Sequence, residues 1–268
     1  MQYEKLGSLP VGLFDGIPML PLYIGMSFTL LLSFEIGYQL STYTKRNDKE
    51  GFTTTGPMVG GLLGMLAFVL AFTFSMAAEQ HNLRKKHVLD EANIIGTAYL
   101  RADLAGDRDT IKIKKLLKEY VDSRVYAMKM GDVTIIKRAI KRSLEIQELL
   151  WNQVVSAAKR EPSLTIGLLV QSINDIIDSH QNRITAGIYN RIPSSVWVVL
   201  LVISSLTMMT MGAQAKLGKS RSLVAVIPLI MAFSALTTIV LDLDRPQEGL
   251  ITVGQEALID LQESINRK

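Results

Sequence analysis

Four stretches of the chain carry no Asp, Glu, Lys or Arg: Gly16 to Phe34, Gly51 to Ala78, Ile192 to Ala215 and Ser222 to Leu241, which are 19, 28, 24 and 20 residues long. A helix rising about 1.5 Å per residue crosses the hydrocarbon core of a bilayer with roughly 20 apolar residues, so each stretch predicts a transmembrane helix. Core helices of water-soluble folds seldom stay uncharged beyond about 14 residues. The first span opens at Pro18 and Pro21, which suit a first helical turn, and runs past Glu35 to about Tyr43. The second follows Gly51 and Pro57. The third begins after Pro193 with Trp197 at its interfacial end, and the fourth contains Pro228 and stops at Asp242, Asp244 and Pro246. The opening MQYEKLGSLPVGLFDG has no basic n-region and predicts no cleaved signal segment.

Between the second and third spans the pattern changes. Residues Glu79 to Arg191 hold 19 basic and 14 acidic side chains, so this insert must face water. Val88, Ala92, Ile95 and Tyr99 recur at helical spacing and continue the second span as one helix to near Ala105-Gly106. Asp107 or Asp109 then caps a helix reaching Met130, Asp132 starts another that runs to about Arg160, and Glu161-Pro162 breaks the chain. Ile166, Leu169, Ile173, Ile177, His180, Ile184 and Ile188 form a near-heptad stripe leading to the third span. Leu250 to Val253 alone suggests a strand. The expected fold is all-α: an N-terminal segment with a first transmembrane hairpin (1–78), a water-exposed helical insert (79–191), a second hairpin (192–241) and a C-terminal tail with a short helix (242–268).

Composition sharpens this reading. A mean hydropathy of +0.24 over 268 residues excludes a disordered chain. The absence of cysteine excludes disulfides, thiolate metal sites and a cysteine nucleophile. With 7% aromatic residues and a net charge of +4, nothing supports a nucleic-acid surface. The hairpin loops are basic, with Lys45, Arg46 and Lys49 in one and Lys216, Lys219 and Arg221 in the other. The positive-inside rule places both in the cytoplasm and the insert outside, although Arg84, Lys85 and Lys86 directly after the second span oppose that orientation.

Little catalytic chemistry is present. His87 and Glu91 share a helix face, but the Glu-x-x-His unit of helical metal sites is missing, and His180 lies in an apolar stripe that suits a hydrogen-bonded core histidine. No nucleophile elbow or P-loop occurs, so no catalytic residue, metal site or cofactor is expected. Lys112, Lys114, Lys115 and Lys118 read as a solvated helix face. Three features stand out. Glu35 is an ionisable residue in an apolar span, facing either a watery interior or a nearby interface. Gly64, Phe68, Phe72 and Met76 recur every four residues along the second span, a pattern that serves either ordinary packing or, around an oligomer axis, an apolar constriction. Asp242 and Asp244 sit at a helix C-terminus against the macrodipole and need partners, either Arg245 or a basic side chain of the insert. Gly60, Gly61, Gly64 and Ala71 add a small-residue surface suited to homo-oligomer packing.

The chain resembles the bestrophin-like domain family of bacterial and plant membrane proteins over nearly its whole length. The residues carrying the resemblance are Arg46-Asn47-Asp48 with Gly51, Glu91-Ala92-Asn93, Tyr99 and Arg101, and Leu243-Asp244-Arg245-Pro246 with Gly249. The resemblance implies a structural role for Glu91, Asn93, Tyr99, Arg101, Asp244, Arg245 and Pro246. Through distant similarity to the bestrophins, it also implies a pentameric anion channel whose second span lines the pore and whose insert is cytoplasmic. Gly64, Phe68, Phe72 and Met76 resemble the bestrophin neck in spacing, but Gly64 is not bulky and no acidic cluster resembles the bestrophin calcium clasp. The expectation is a non-enzymatic, homo-oligomeric ion channel in a bacterial inner (plasma) membrane, its partners being lipid, copies of itself and small ions. The competing expectation is a membrane-anchored interaction or sensory protein whose insert binds a partner.

Overall fold

The computed structural model describes residues 14–43, 49–130, 133–218, 222–245 and 249–267. The described residues form α1 (Met19–Tyr43), α2 (Lys49–Arg101), α3 (Asp107–Met130), α4 (Val133–Arg160), α5 (Leu164–Ile184), α6 (Ser194–Leu217), α7 (Leu223–Asp244) and α8 (Glu256–Asn266). A 3-10 turn, Ala102–Ala105, follows α2, and a π turn, Thr185–Tyr189, follows α5. No strand occurs among the described residues. The helices fold as two compact units, one of residues His81–Asn190 with 252–267, the other of 14–80 with Arg191–Ile251.

In the helical unit, local signals decide where each helix begins. Gly106 turns the chain with a φ of 75°, a conformation that favours glycine. Asp107 and Asp109 occupy the first turn of α3, and Lys159 and Arg160 the last turn of α4, each complementing its macrodipole. These ends meet, because Asp109 accepts from Gln153 Nε2 at 2.6 Å and pairs with Arg160. Ser163 caps α5 by accepting from the Ile166 N–H. The core gathers Ile95 of α2, Ile113, Leu117 and Tyr120 of α3, Ile146 and Leu150 of α4, Leu169, Ile173 and Ile176 of α5 and Leu258 of α8. The expected stripe on α5 is therefore its core face.

Among the described residues, four helices are long and apolar enough to cross a membrane. α1 and α6 meet backbone to backbone at two glycines. A Cβ at Gly37 would collide with the Met209 carbonyl, and one at Gly212 with the Phe34 carbonyl. The glycines singled out on the second span behave differently: Gly60, Gly61 and Gly64 face open space within the chain. The Gly56–Gln80 part of α2 buries Val59, Leu66, Leu70, Thr73 and Ala77, and Leu66, Leu70 and Ala77 pack in a cluster with Trp197, Leu200, Val240 and Leu241.

The strand expected at Leu250 to Val253 does not form. The Asp242 carboxylate accepts from the backbone N–H groups of Leu250 (3.0 Å) and Ile251 (2.9 Å), which bends the segment and uses the donors a sheet would need. Gly249, at φ 126°, leads into this bend, and a side chain there would strike Asp242.

Candidate functional site

The candidate pore stripe lies on the exposed side of α2. Phe68 is 73% exposed and Phe72 59%, Gly64 is also exposed, and Met76 is half-buried. Geometry explains the odd member. Steps of four residues advance by about 40° beyond a full turn, so a strict four-residue stripe winds around the helix and carries Met76 toward the packed face. Alternating steps of three and four stay nearly in line. Along that register Gly61, Met65, Phe68, Phe72, Ser75 and Glu79 are all exposed. Met65, Ser75 and Glu79 were not singled out from the sequence, and heptad spacing is the signal that finds them.

Glu35 is half-buried on α1, where Gln39 Nε2, one turn on, donates to its Oε1 at 3.1 Å.

Of the residues that carry the family resemblance, Arg46, Asn47 and Asp48 lie outside the described residues, and the described ones divide between the two units. In the helical unit Glu91 is fully buried, and its carboxylate pairs with Arg124 (3.2 Å) and Arg183. The Tyr120 hydroxyl donates to Glu91 Oε1 at 3.0 Å. Having only one proton, that hydroxyl must accept from Gln147 Nε2 (3.3 Å) and from His180 Nδ1 (3.2 Å), so His180 carries a proton on Nδ1, and burial together with the Arg124 charge keeps the ring neutral. Burial, reinforced by the Glu91 charge, pushes the Tyr120 phenol above its ordinary range. Arg183 reaches on to Gln255 Oε1 at 2.6 Å. The network thus draws on α2, α3, α4, α5 and the segment before α8. Spacing marked His180 as a hydrogen-bonded core histidine but could not assemble the rest, because the partners of Glu91 lie on three further helices and the segment before α8.

Tyr99 and Arg101 also sit in the helical unit. Lys114 stands 4.8 Å from the centre of the Tyr99 ring and pairs with Asp103, while Arg101 donates to the Leu168 carbonyl (3.1 Å) and Ser172 Oγ (2.8 Å). Asn93 is exposed, outside the Glu91 network.

In the span unit the end of α7 is a polar joint. Asp244 accepts from Arg191 Nε (3.0 Å) and the Ile192 N–H (2.9 Å), and Arg191 also pairs with Asp15. Arg245 donates to the carbonyls of Ile17 (2.8 Å) and Phe14. Asp244 therefore pairs with the last basic residue of the insert, while Arg245 straps down the chain ahead of α1. Pro246 lies outside the described residues. Among the described residues no group of three or more His, Cys, Asp or Glu side chains could hold a metal ion.

Four membrane-length helices, a charged helical unit with a buried ion-pair network and a polar joint after the last span define an all-helical integral membrane protein. The chain belongs to the bestrophin-like domain family, whose pattern matches residues 27–258. Its fold is that of crystallised bacterial bestrophin homologues. Two point variants of a homologue from Klebsiella pneumoniae share 14% and 15% identity with it, each at a TM-score of 0.56, covering 93% and 90% of this chain and 98% and 96% of theirs. A third crystal structure, described as a membrane protein, matches at 14% identity and a TM-score of 0.55, covering 93% of this chain and 96% of its own. No curated protein matches the chain.

Proposed function

We propose that the chain assembles as a homo-oligomer, a pentamer on the family resemblance, and conducts ions through a pore lined by α2, with Phe68 and Phe72 as its apolar constriction and Gly64 and Met76 flanking them. The observation that carries this reading is the contrast between exposed faces. α1 exposes Leu20, Ile24, Phe28, Leu31, Leu32 and Ile36, and α7 exposes Val224, Ile227, Met231, Leu236 and Ile239, mostly bulky aliphatic surfaces suited to lipid. α2 exposes Met58, Met65, Phe68, Phe72 and Phe74 as well, but it sets among them Gly60, Gly61, Gly64, Ala67, Ala71 and Ser75, a larger share of small residues than either of those helices exposes. Small residues let helices approach closely, and rings repeated around an axis narrow a pore to a dewetted neck. The same reading makes the protein a non-enzymatic channel of a bacterial inner membrane.

Purified protein in planar bilayers tests it. Wild type should conduct, and Phe68→Ala and Phe72→Ala should raise the conductance singly and further when combined. If the rings only pack, their loss costs on the order of 3 kcal/mol and the variants assemble poorly without gaining current. Well-assembled but silent wild type and variants would favour the membrane-anchored interaction protein.

A further inference from the structure

The three-four register of α2 carries the exposed face past the aromatic pair to a charge. Glu79 follows Phe72 by seven residues, which is two turns, about 10 Å along the helix and about 20° away in azimuth. Both side chains are exposed, with Ser75 between them on the same face. No acidic or basic residue lies between Gly51 and Ala78, so Glu79 is the fixed charge of α2 nearest to Phe72. The next charge in the register, Lys86, comes a further seven residues along the chain. In the other direction the register runs through Met65, Gly61 and Met58, all uncharged.

We propose that Glu79, repeated around the axis, forms a carboxylate ring at the C-terminal mouth of the apolar neck and makes the pore favour cations over anions. This rests on the reading of α2 as the pore-lining helix. Rings of Asp or Glu are the side-chain device by which pores admit cations, and a confined mouth of one sign concentrates counter-ions there. The order of features on this helix, apolar ring first and acid next, thus opposes the anion conduction that the family resemblance implies.

Reversal potentials in a potassium chloride gradient decide the matter. Wild type should pass potassium in preference to chloride. Glu79→Gln should lower that ratio by about tenfold, the low end of what a charge-lined cleft contributes, and Glu79→Lys should carry it below one. Glu79→Asp should keep it. An independent check needs no variant: wild-type preference should shrink as salt rises, because the Debye length falls from about 10 Å at 0.1 M to about 3 Å at 1 M. A wild type that prefers chloride, or a ratio indifferent to both Glu79→Gln and salt, overturns the inference. If Phe68→Ala and Phe72→Ala still raise the conductance in that case, the pore itself stands. A well-assembled wild type without current removes the pore and the selectivity ring together.

Discussion

Glu91 is the central acid of the buried ion-pair network in the helical unit. One fully buried carboxylate faces two guanidinium groups, so removing its charge leaves two buried cations sharing no counter-charge. Breaking a buried pair by removing one partner costs about 3–5 kcal/mol, far beyond the ~1 kcal/mol or less of an exposed pair such as Arg142 with Glu145. Glu91→Gln, which keeps the shape and loses the charge, should therefore lower the melting temperature in detergent sharply, whereas Glu145→Gln should leave it almost unchanged. Equal melting temperatures for the two variants would mean that Glu91 is retained for something other than charge pairing. Because the network is internal to the helical unit, the loss should appear as that unit unfolding, visible as faster proteolysis within α3 to α5.

At the level of elements, α1 and α6 are joined through two glycines that no spacing rule picks out. Gly37 comes twelve residues after Gly25 in α1 and Gly212 stands alone in α6, whereas the cluster that does attract notice, Gly60, Gly61 and Gly64 on α2, meets nothing among the described residues. Gly37→Ala and Gly212→Ala must part the two helices and should each cost about 1–3 kcal/mol, read as lost expression of folded protein and a lower melting temperature. Gly60→Ala should leave the fold of the chain intact, and any effect should fall on oligomeric mass instead. What could be read from the sequence was local. Uncharged length marked the spans, Gly106 and Pro162 marked where helices stop, and Pro193 where one starts. What could not be read was which residues meet across elements: Glu91 finds Tyr120, Arg124 and Arg183 on two other helices, and Asp242 outbids the β-branched run at Ile251 to Val253 for its backbone donors. The stripe on α2 was half legible, since a four-residue period fits Phe68 and Phe72 but winds off the face by Met76.

For the whole molecule, the loop charges and the family resemblance make opposite statements about which side of the membrane the insert occupies. The loop charges place Lys216 in the cytoplasm and Lys112 outside. A cysteine-free chain makes the experiment clean. With single cysteines at these positions in intact cells, an impermeant thiol reagent should label Lys112→Cys and spare Lys216→Cys, and the reverse labelling would put the insert in the cytoplasm, as the resemblance implies. The glycine contact between α1 and α6 has a bearing on biosynthesis as well. Gly212 emerges 175 residues after Gly37. At about 5–20 residues per second, the first helix waits some 9–35 seconds in the bilayer before its neighbour is made. For that interval the groove at Gly37 is open to any other helix in the membrane, so the nascent chain has a window of mispairing that the finished protein does not.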